Sequence, residues 1–135
     1  MPYKDKSADW LFFAESDLKT AKAAFKEKIY HIVCFHCHQT MEKSFKAVLA
    51  RHQRQIPKIH FLAVLFASIV PLEKPKLPEE EVLFMDRFYF PTRYPDTLPG
   101  SLPEGLPDKA DAAKALEIAE KTLALIKNLL AKKKL

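Results

Sequence analysis

One predicted helix carries a stripe of polar side chains at steps of three and four residues, namely Gln39, Glu42, Lys43 and Lys46. Such a stripe is typical of a solvated helix face, where a glutamate pairs with a lysine one turn away. The same residue types would also suit the wall of a polar groove. A carboxylate and two ammonium groups could hold a charged ligand there, and Arg93 and Asp96 would close the groove. The pattern leaves both interpretations open.

The same helix contains two cysteines and several histidines within a short run. Cys34 and Cys37 form a C-x-x-C pair, and His36 and His38 are interleaved with it, as in some zinc sites. On a helical wheel, however, both cysteines share the apolar arc of Met41, while the histidines point elsewhere. Because free cysteine behaves as a small hydrophobic residue, we expect the pair to pack in the core and predict no metal and no cofactor.

A basic cluster lies where this helix ends and the next begins, and it contains Arg51, His52, Arg54, Lys58 and His60. These side chains could contact phosphates. Solvation, together with favourable positive charge at a helix C-terminus, explains the cluster equally well. The sequence has no glycine-rich phosphate loop and no G-x-S-x-G or H-E-x-x-H motif.

Composition limits the class of protein. The chain has 135 residues, which suits one domain spanning 1–135, and its net charge of +5 permits an anionic partner without requiring one. It has only 2 glycines, which favours helices over a turn-rich β fold. No apolar stretch is long enough to span a membrane, and two closely spaced cysteines do not form a disulfide framework. We therefore expect a cytoplasmic, all-α protein.

Apolar periodicity predicts five helices. They begin near Ala8, Tyr30, Lys58 or Ile59, Pro78, and Asp108 or Asp111. Ser7 is the expected N-cap of the first. Asp17 lies at the edge of the first helix's apolar stripe and should meet a basic group from a neighbouring helix. Before the last helix, a proline occurs at every fourth position, namely Pro91, Pro95, Pro99, Pro103 and Pro107. These prolines exclude a helix there and predict a long loop.

Four motifs in order resemble those of the HEPN domain family (higher eukaryotes and prokaryotes nucleotide-binding). They are Ala14-x-x-Asp17-Leu18-x-x-Ala21, Gln39-x-x-Glu42-Lys43-x-x-Lys46-Ala47, His60-x-Leu62 and Arg93-Tyr94-Pro95-Asp96. The resemblance covers nearly the whole chain and implies an up-and-down bundle of four to five helices with a long loop before the last. It also implies homodimers, and pairing with a minimal nucleotidyltransferase in a two-component, toxin–antitoxin-like system.

The resemblance leaves two functions open. The first is a binding module for a nucleotide or a partner protein. Its site would comprise Gln39, Glu42, Lys43, Lys46, Arg93, Tyr94 and Asp96, with Tyr94 stacking on a base. Alternatively, Asp17, Lys43 and Arg93 form a buried ionic network that fixes the loop and needs no ligand.

The second function is a metal-independent ribonuclease that cleaves RNA. That branch of the family carries an arginine followed after four to six residues by a histidine, near the last helix. Here no histidine follows Arg87 or Arg93, because His60 is the last in the sequence. Arg54 and His60 have the required spacing but lie between the second and third helices. The missing motif favours the binding module.

Overall fold

The computed structural model describes residues 4–89, 102 and 105–132. Within this part of the chain the protein is all-α, as predicted, and forms an up-and-down bundle. The helices are α1 (Ser7–Lys26), α2 (Tyr30–Arg51), α3 (Leu62–Ile69), α4 (Glu79–Asp86) and α5 (Lys109–Lys132). No helix of the described residues is long and apolar enough to cross a bilayer. Most of the proline-rich segment lies outside the described residues.

Tight turns follow both α1 and α2, and each uses a non-glycine residue in the left-handed region. Lys28 has φ 60° and Gln53 has φ 59°. After α1, the amide of Ile29 donates to the Ala24 carbonyl at 2.9 Å, and the amide of Lys28 donates to Phe25 at 3.0 Å. This paired pattern is the Schellman motif, which satisfies the last helix carbonyls and reverses the chain. It folds α2 back along α1.

The central helix of the bundle is α2, which packs against α1, α3, α4 and α5. The apolar arc predicted for it is buried except for Tyr30, which is partly exposed. The buried members are Val33, Cys34, Cys37, Met41, Phe45 and Val48. Alanines of α1 and α5 let these helices approach α2 closely, and they include Ala14, Ala21, Ala112, Ala115 and Ala119. The core prediction for both cysteines is confirmed.

Two helix starts differ from the prediction. Ser7 is the first residue of α1 rather than its cap, and its amide donates to the Asp5 carboxylate at 2.8 Å. The third helix begins at Leu62, later than expected, because Asp86 of α4 accepts the amides of Leu62 and Ala63 at 2.6 and 2.9 Å. A cap from another helix therefore sets the start of α3, and local sequence does not reveal it.

Candidate binding site

A buried ion pair lies on the side of α2 that faces the start of α3. Lys46 donates from Nζ to Oε2 of Glu42, one turn earlier, at 2.9 Å. The two side chains are only 7% and 6% exposed. His60 approaches the same carboxylate, with Nδ1 at 3.2 Å from both of its oxygens. We call Glu42, Lys46 and His60 the Glu42 cluster.

The imidazole of His60 is the part of this cluster that reaches solvent, since its side chain is 47% exposed. In the tautomer that carries its proton on Nδ1, the ring donates a hydrogen bond to the Glu42 carboxylate. The ring also stacks on Tyr89, with centroids 5.2 Å apart. These two contacts fix its orientation and leave Nε2 facing away from the carboxylate. A carboxylate-oriented imidazole of this kind can exchange a hydrogen bond or a proton with an incoming group.

Beneath His60, a second layer fixes the position of Tyr89. The ring of His38 stacks on Tyr89 with a centroid distance of 5.4 Å, and Nε2 of His38 lies 3.3 Å from Asp86 Oδ1. Asp86 is the same carboxylate that caps α3. Among the described residues, the buried Nδ1 of His38 has no hydrogen-bond partner. The layer couples α2, α3 and α4 directly below the exposed histidine.

Aromatic side chains flank the Glu42 cluster at the surface. On the α1 side, the ammonium of Lys46 lies 5.8 Å from the centroid of Trp10. Trp10 lines a depression of about 270 Å³ together with Lys6, Asp9 and Phe13. On the other side, Phe61 contacts Tyr89 edge-to-face at 5.6 Å. Phe13 is 53% exposed and Phe61 is 42% exposed, so large apolar side chains face solvent on both sides.

A second ionic cluster joins α1 to α2. Asp17 contacts Lys43 Nζ at 2.5 Å and His36 Nδ1 at 2.9 Å, and we call these residues the Asp17 cluster. The basic partner predicted for Asp17 is thereby confirmed. Burial alone would raise the pKa of Asp17. Hydrogen bonds from His36 and Lys43, together with the charge of Lys43, lower that pKa by a larger amount, so the net shift is downward.

The predicted polar stripe is therefore not a solvated face. Glu42 and Lys46 are buried, whereas Gln39 and Lys43 are partly exposed. Lys43 and Lys46 are divided between the two clusters, and each has a carboxylate partner. The remaining predicted site residues, Arg93, Tyr94 and Asp96, lie outside the described residues, so their contribution stays a prediction.

Members of the predicted basic cluster have separate environments. Arg51 donates to the carboxylate of Asp5 and to the carbonyl of Leu130, which ties the end of α2 to both termini of the bundle. His52 lies 2.9 Å from the buried carboxylate of Glu73. These contacts connect the end of α2 to other parts of the bundle.

The alternative catalytic pair is not joined by a shared contact. Arg54 lines a cleft of about 430 Å³ with residues of α3 and its flanking segments, among them Pro57, Ser68 and Leu72. His60 contacts Glu42 and Tyr89 instead. Among the described residues, Arg54 and His60 have no partner in common.

The cysteines have the properties of core residues. Burial raises the pKa of Cys34 to about 12, and burial also raises the pKa of Cys37. A thiol with so high a pKa stays protonated and is a poor nucleophile and metal ligand. The described residues contain no group of three or more His, Cys, Asp or Glu side chains arranged to hold a metal ion.

Sequence reasoning missed several members of the site, among them Trp10, Tyr89 and Asp86. One signal was available, because His38, Glu42 and Lys46 follow one another at steps of four and so share one helix face. A histidine, an acid and a lysine on a face next to the apolar arc indicate a buried polar layer. Nothing local to Asp86 indicates that it caps a different helix.

Comparison with known proteins defines the class to which this all-α bundle belongs. The HEPN domain family matches residues 7–129, which is most of the chain. The chain is therefore a member of the HEPN family, and the resemblance inferred from its motifs is confirmed. No curated protein matches it.

Solved structures agree with this assignment. A protein from Thermus thermophilus is 27% identical, with a TM-score of 0.74 over 93% of this chain and 98% of its own. An archaeal HEPN homologue is 26% identical, with a TM-score of 0.68 over 90% of this chain and 95% of its own. A HEPN domain protein from Thermotoga maritima shares the fold, with 24% identity and a TM-score of 0.69 over 92% of this chain and 98% of its own.

Proposed function

We propose that this HEPN protein is a cytoplasmic, homodimeric binding module for a partner protein, without ribonuclease activity of its own. The partner would be a minimal nucleotidyltransferase, with which it forms a two-component system. The observation that carries the proposal is the surface around the Glu42 cluster. There, exposed aromatic side chains of α1 and of the segment before α3 flank charges that are already paired.

Exposed aromatic side chains favour a protein partner. Phenylalanine and tryptophan supply large contact areas at protein interfaces, and such patches are uncommon on surfaces that remain in water. Phe12 and Phe13 lie edge-to-face at 5.5 Å, and Trp10 lies beside them in the sequence. His60 would contribute a hydrogen bond near the centre of this surface.

Paired lysines weaken the case for a nucleotide. A phosphate on Lys46 would meet an ammonium that is only 7% exposed and already paired with Glu42, and a phosphate on Lys43 would lie next to the carboxylate of Asp17. The predicted contributions of Arg93, Tyr94 and Asp96 remain compatible with either ligand. Protein binding does not place a second anion beside these carboxylates and therefore agrees better with the geometry.

Co-purification tests the proposal directly. The tagged chain would be co-expressed with a minimal nucleotidyltransferase encoded beside it, and the product analysed by size exclusion with light scattering. We expect a stoichiometric complex. Phe13→Ser combined with Phe61→Ser should weaken it at least about tenfold, because central aromatic contacts dominate interface energies.

A matched control uses Leu83→Ser combined with Leu106→Ser, since these side chains are 50% and 57% exposed and are not among the residues that define this surface. The control pair should leave the complex intact. Calorimetry with ATP and an RNA-cleavage assay complete the test. ATP binding without a protein complex would favour the nucleotide function, and RNA cleavage that is lost in both Arg54→Ala and His60→Ala would favour the ribonuclease.

A further inference from the structure

A second surface lies where the segment between α3 and α4 meets the last turns of α5. Residues 73–77 alternate between the core and the solvent. Glu73, Pro75 and Leu77 are buried, whereas Lys74 and Lys76 are exposed. The amide of Leu77 donates to the carbonyl of Pro75 at 2.8 Å, so the chain turns at Lys76. The alternation places one side of the segment against the bundle and leaves both lysines exposed.

Between this segment and α5 is a cleft of about 230 Å³. Its lining consists of Lys74, Pro75, Lys76, Leu125, Asn128, Leu129 and Lys132. Leu125 and Leu129 are one helical turn apart and only partly buried, so they form an apolar floor. The three lysines surround that floor with positive charge.

The charge of these three lysines is not compensated within the described part of the chain. Other lysines of α5 do have carboxylate partners, since Lys121 pairs with Glu81 and Lys127 pairs with Glu15. In contrast, no carboxylate of the described residues forms an ion pair with Lys74, Lys76 or Lys132. The adjacent acid, Glu73, is buried and faces His52. The cleft therefore presents an unneutralised cationic rim.

We infer that this cleft is a docking site for an acidic segment of the partner protein, with an aliphatic side chain inserted between Leu125 and Leu129. Charge complementarity selects carboxylates for the rim, and the apolar floor selects a leucine-like anchor. The cleft is smaller than the roughly 300 Å³ at which small-molecule sites begin, so it suits one side chain better than a nucleotide.

Nucleic acid fits this surface less well. Proteins that bind single strands usually stack bases on aromatic side chains, and none of the described residues that line the cleft is aromatic. The inference rests on the proposed function, because it assigns a specific contact to the partner protein. The cleft differs from the aromatic surface around His60 in both location and chemistry.

Fluorescence anisotropy with a labelled short peptide, in which single leucines are separated by glutamates and serines, tests the inference on the full-length protein. We expect saturable binding that weakens with added salt. Lys74→Glu combined with Lys76→Glu should weaken it at least about tenfold, since attraction at the rim becomes repulsion. In methyl NMR spectra of the wild type, the peptide should shift the signals of Leu125 and Leu129.

The matched control is Lys19→Glu combined with Lys26→Glu, which reverses two exposed lysines of α1 and changes the net charge equally. The control should bind the peptide as the wild type does. Equal loss in both variants, or unshifted Leu125 and Leu129 signals, would overturn the inference. So would binding of an oligouridine of the same length in place of the peptide.

The two proposals can fail separately. If the nucleotidyltransferase co-elutes with the wild type and equally well with the Lys74 and Lys76 variant, the cleft assignment is wrong and the proposed function stands. If the peptide binds at the cleft but the nucleotidyltransferase does not co-elute, the identity of the partner is wrong.

Discussion

The two ionic clusters on α2 have the same composition but different surroundings. Each contains one carboxylate, one lysine and one histidine, and the lysines, Lys43 and Lys46, are three residues apart. In the Asp17 cluster the lysine is 27% exposed, whereas in the Glu42 cluster it is 7% exposed. The clusters also differ in which elements their ion pairs connect.

The Asp17 cluster connects two long helices. Its carboxylate comes from α1, and both partners of that carboxylate, Lys43 and His36, come from α2, so every contact crosses the helix interface. Next to it, the hydroxyl of Thr40 donates to the carbonyl of Ala14 at 3.1 Å. Because the carboxylate keeps some contact with water, its desolvation is incomplete, and the cluster should stabilise the packing of α1 on α2.

The central ion pair of the Glu42 cluster lies within one helix. An i,i+4 pair between Glu42 and Lys46 cannot hold two helices together, yet both charges are removed from water. Burial of such a pair is seldom a net gain over apolar residues of similar size. The cluster is therefore better explained by what it positions, namely His60 and the aromatic surface around it. The burial of an ionic cluster does not distinguish a structural role from a functional one. The elements that its ion pairs connect do make that distinction.

The largest effect should follow from breaking the buried pair. Lys46→Met keeps the volume of the side chain but leaves Glu42 with His60 as its remaining partner. We expect a loss of about 3 kcal/mol in the free energy of unfolding, since an uncompensated buried carboxylate is strongly unfavourable. Urea denaturation at fixed protein concentration measures it.

Removing both charges provides the control. Glu42→Leu combined with Lys46→Met should restore stability to within about 1 kcal/mol of the wild type, because well-packed apolar residues replace the pair. The same double variant should lose partner binding if the cluster positions His60. A stable double variant with full partner affinity would show that the pair has neither role.

A smaller effect is expected from the Asp17 cluster. Asp17→Asn retains one acceptor oxygen but loses the charge that Lys43 and His36 contact. The expected loss at neutral pH is about 1–2 kcal/mol, typical of hydrogen bonds to charged groups. Asp9→Asn, at an exposed position of the same helix, is the matched control and should change stability by less than about 0.5 kcal/mol.

The pH dependence of the stability difference between wild type and Asp17→Asn gives a further check. The pKa of Asp17 is lowered from 3.8 in the folded protein, so the unfolded chain binds the proton more readily. Its stabilisation is complete above the unfolded pKa and is lost as the pH falls through the folded one. The gap between wild type and Asp17→Asn should therefore close below about pH 4. A gap that persists in acid would mean that the carboxylate charge is not its source.

Much of the fold follows from apolar periodicity. The arc from Val33 to Val48, and the alanine, leucine and isoleucine residues at helical spacing in α5, predict both the helices and their buried faces. The Asp17 contact was also predictable, because a charge at the edge of an apolar stripe requires a cation nearby. In these cases the residue and its immediate spacing contain the necessary information.

The parts that were not predictable depend on contacts distant in sequence. The start of α3 is set by Asp86, 24 residues after Leu62. Likewise, Glu42 and Lys46 are buried because Trp10 and His60 approach from other segments. Spacing along one helix shows which side chains share a face, but it does not show whether that face meets water or another element.

The smallest effect should come from an ion pair that joins helices but is half exposed to solvent. Lys22 of α1 and Glu120 of α5 lie 3.6 Å apart, and each side chain is 50% exposed. Lys22→Ala should change the free energy of unfolding by less than about 0.5 kcal/mol, because solvent screens the pair and ordering two long side chains offsets the attraction. Lys22→Gln separates the loss of charge from the loss of side-chain length, and urea denaturation in low and high salt measures both. A loss as large as that of Asp17→Asn would mean that crossing a helix interface determines the strength of these contacts and that their exposure to water does not.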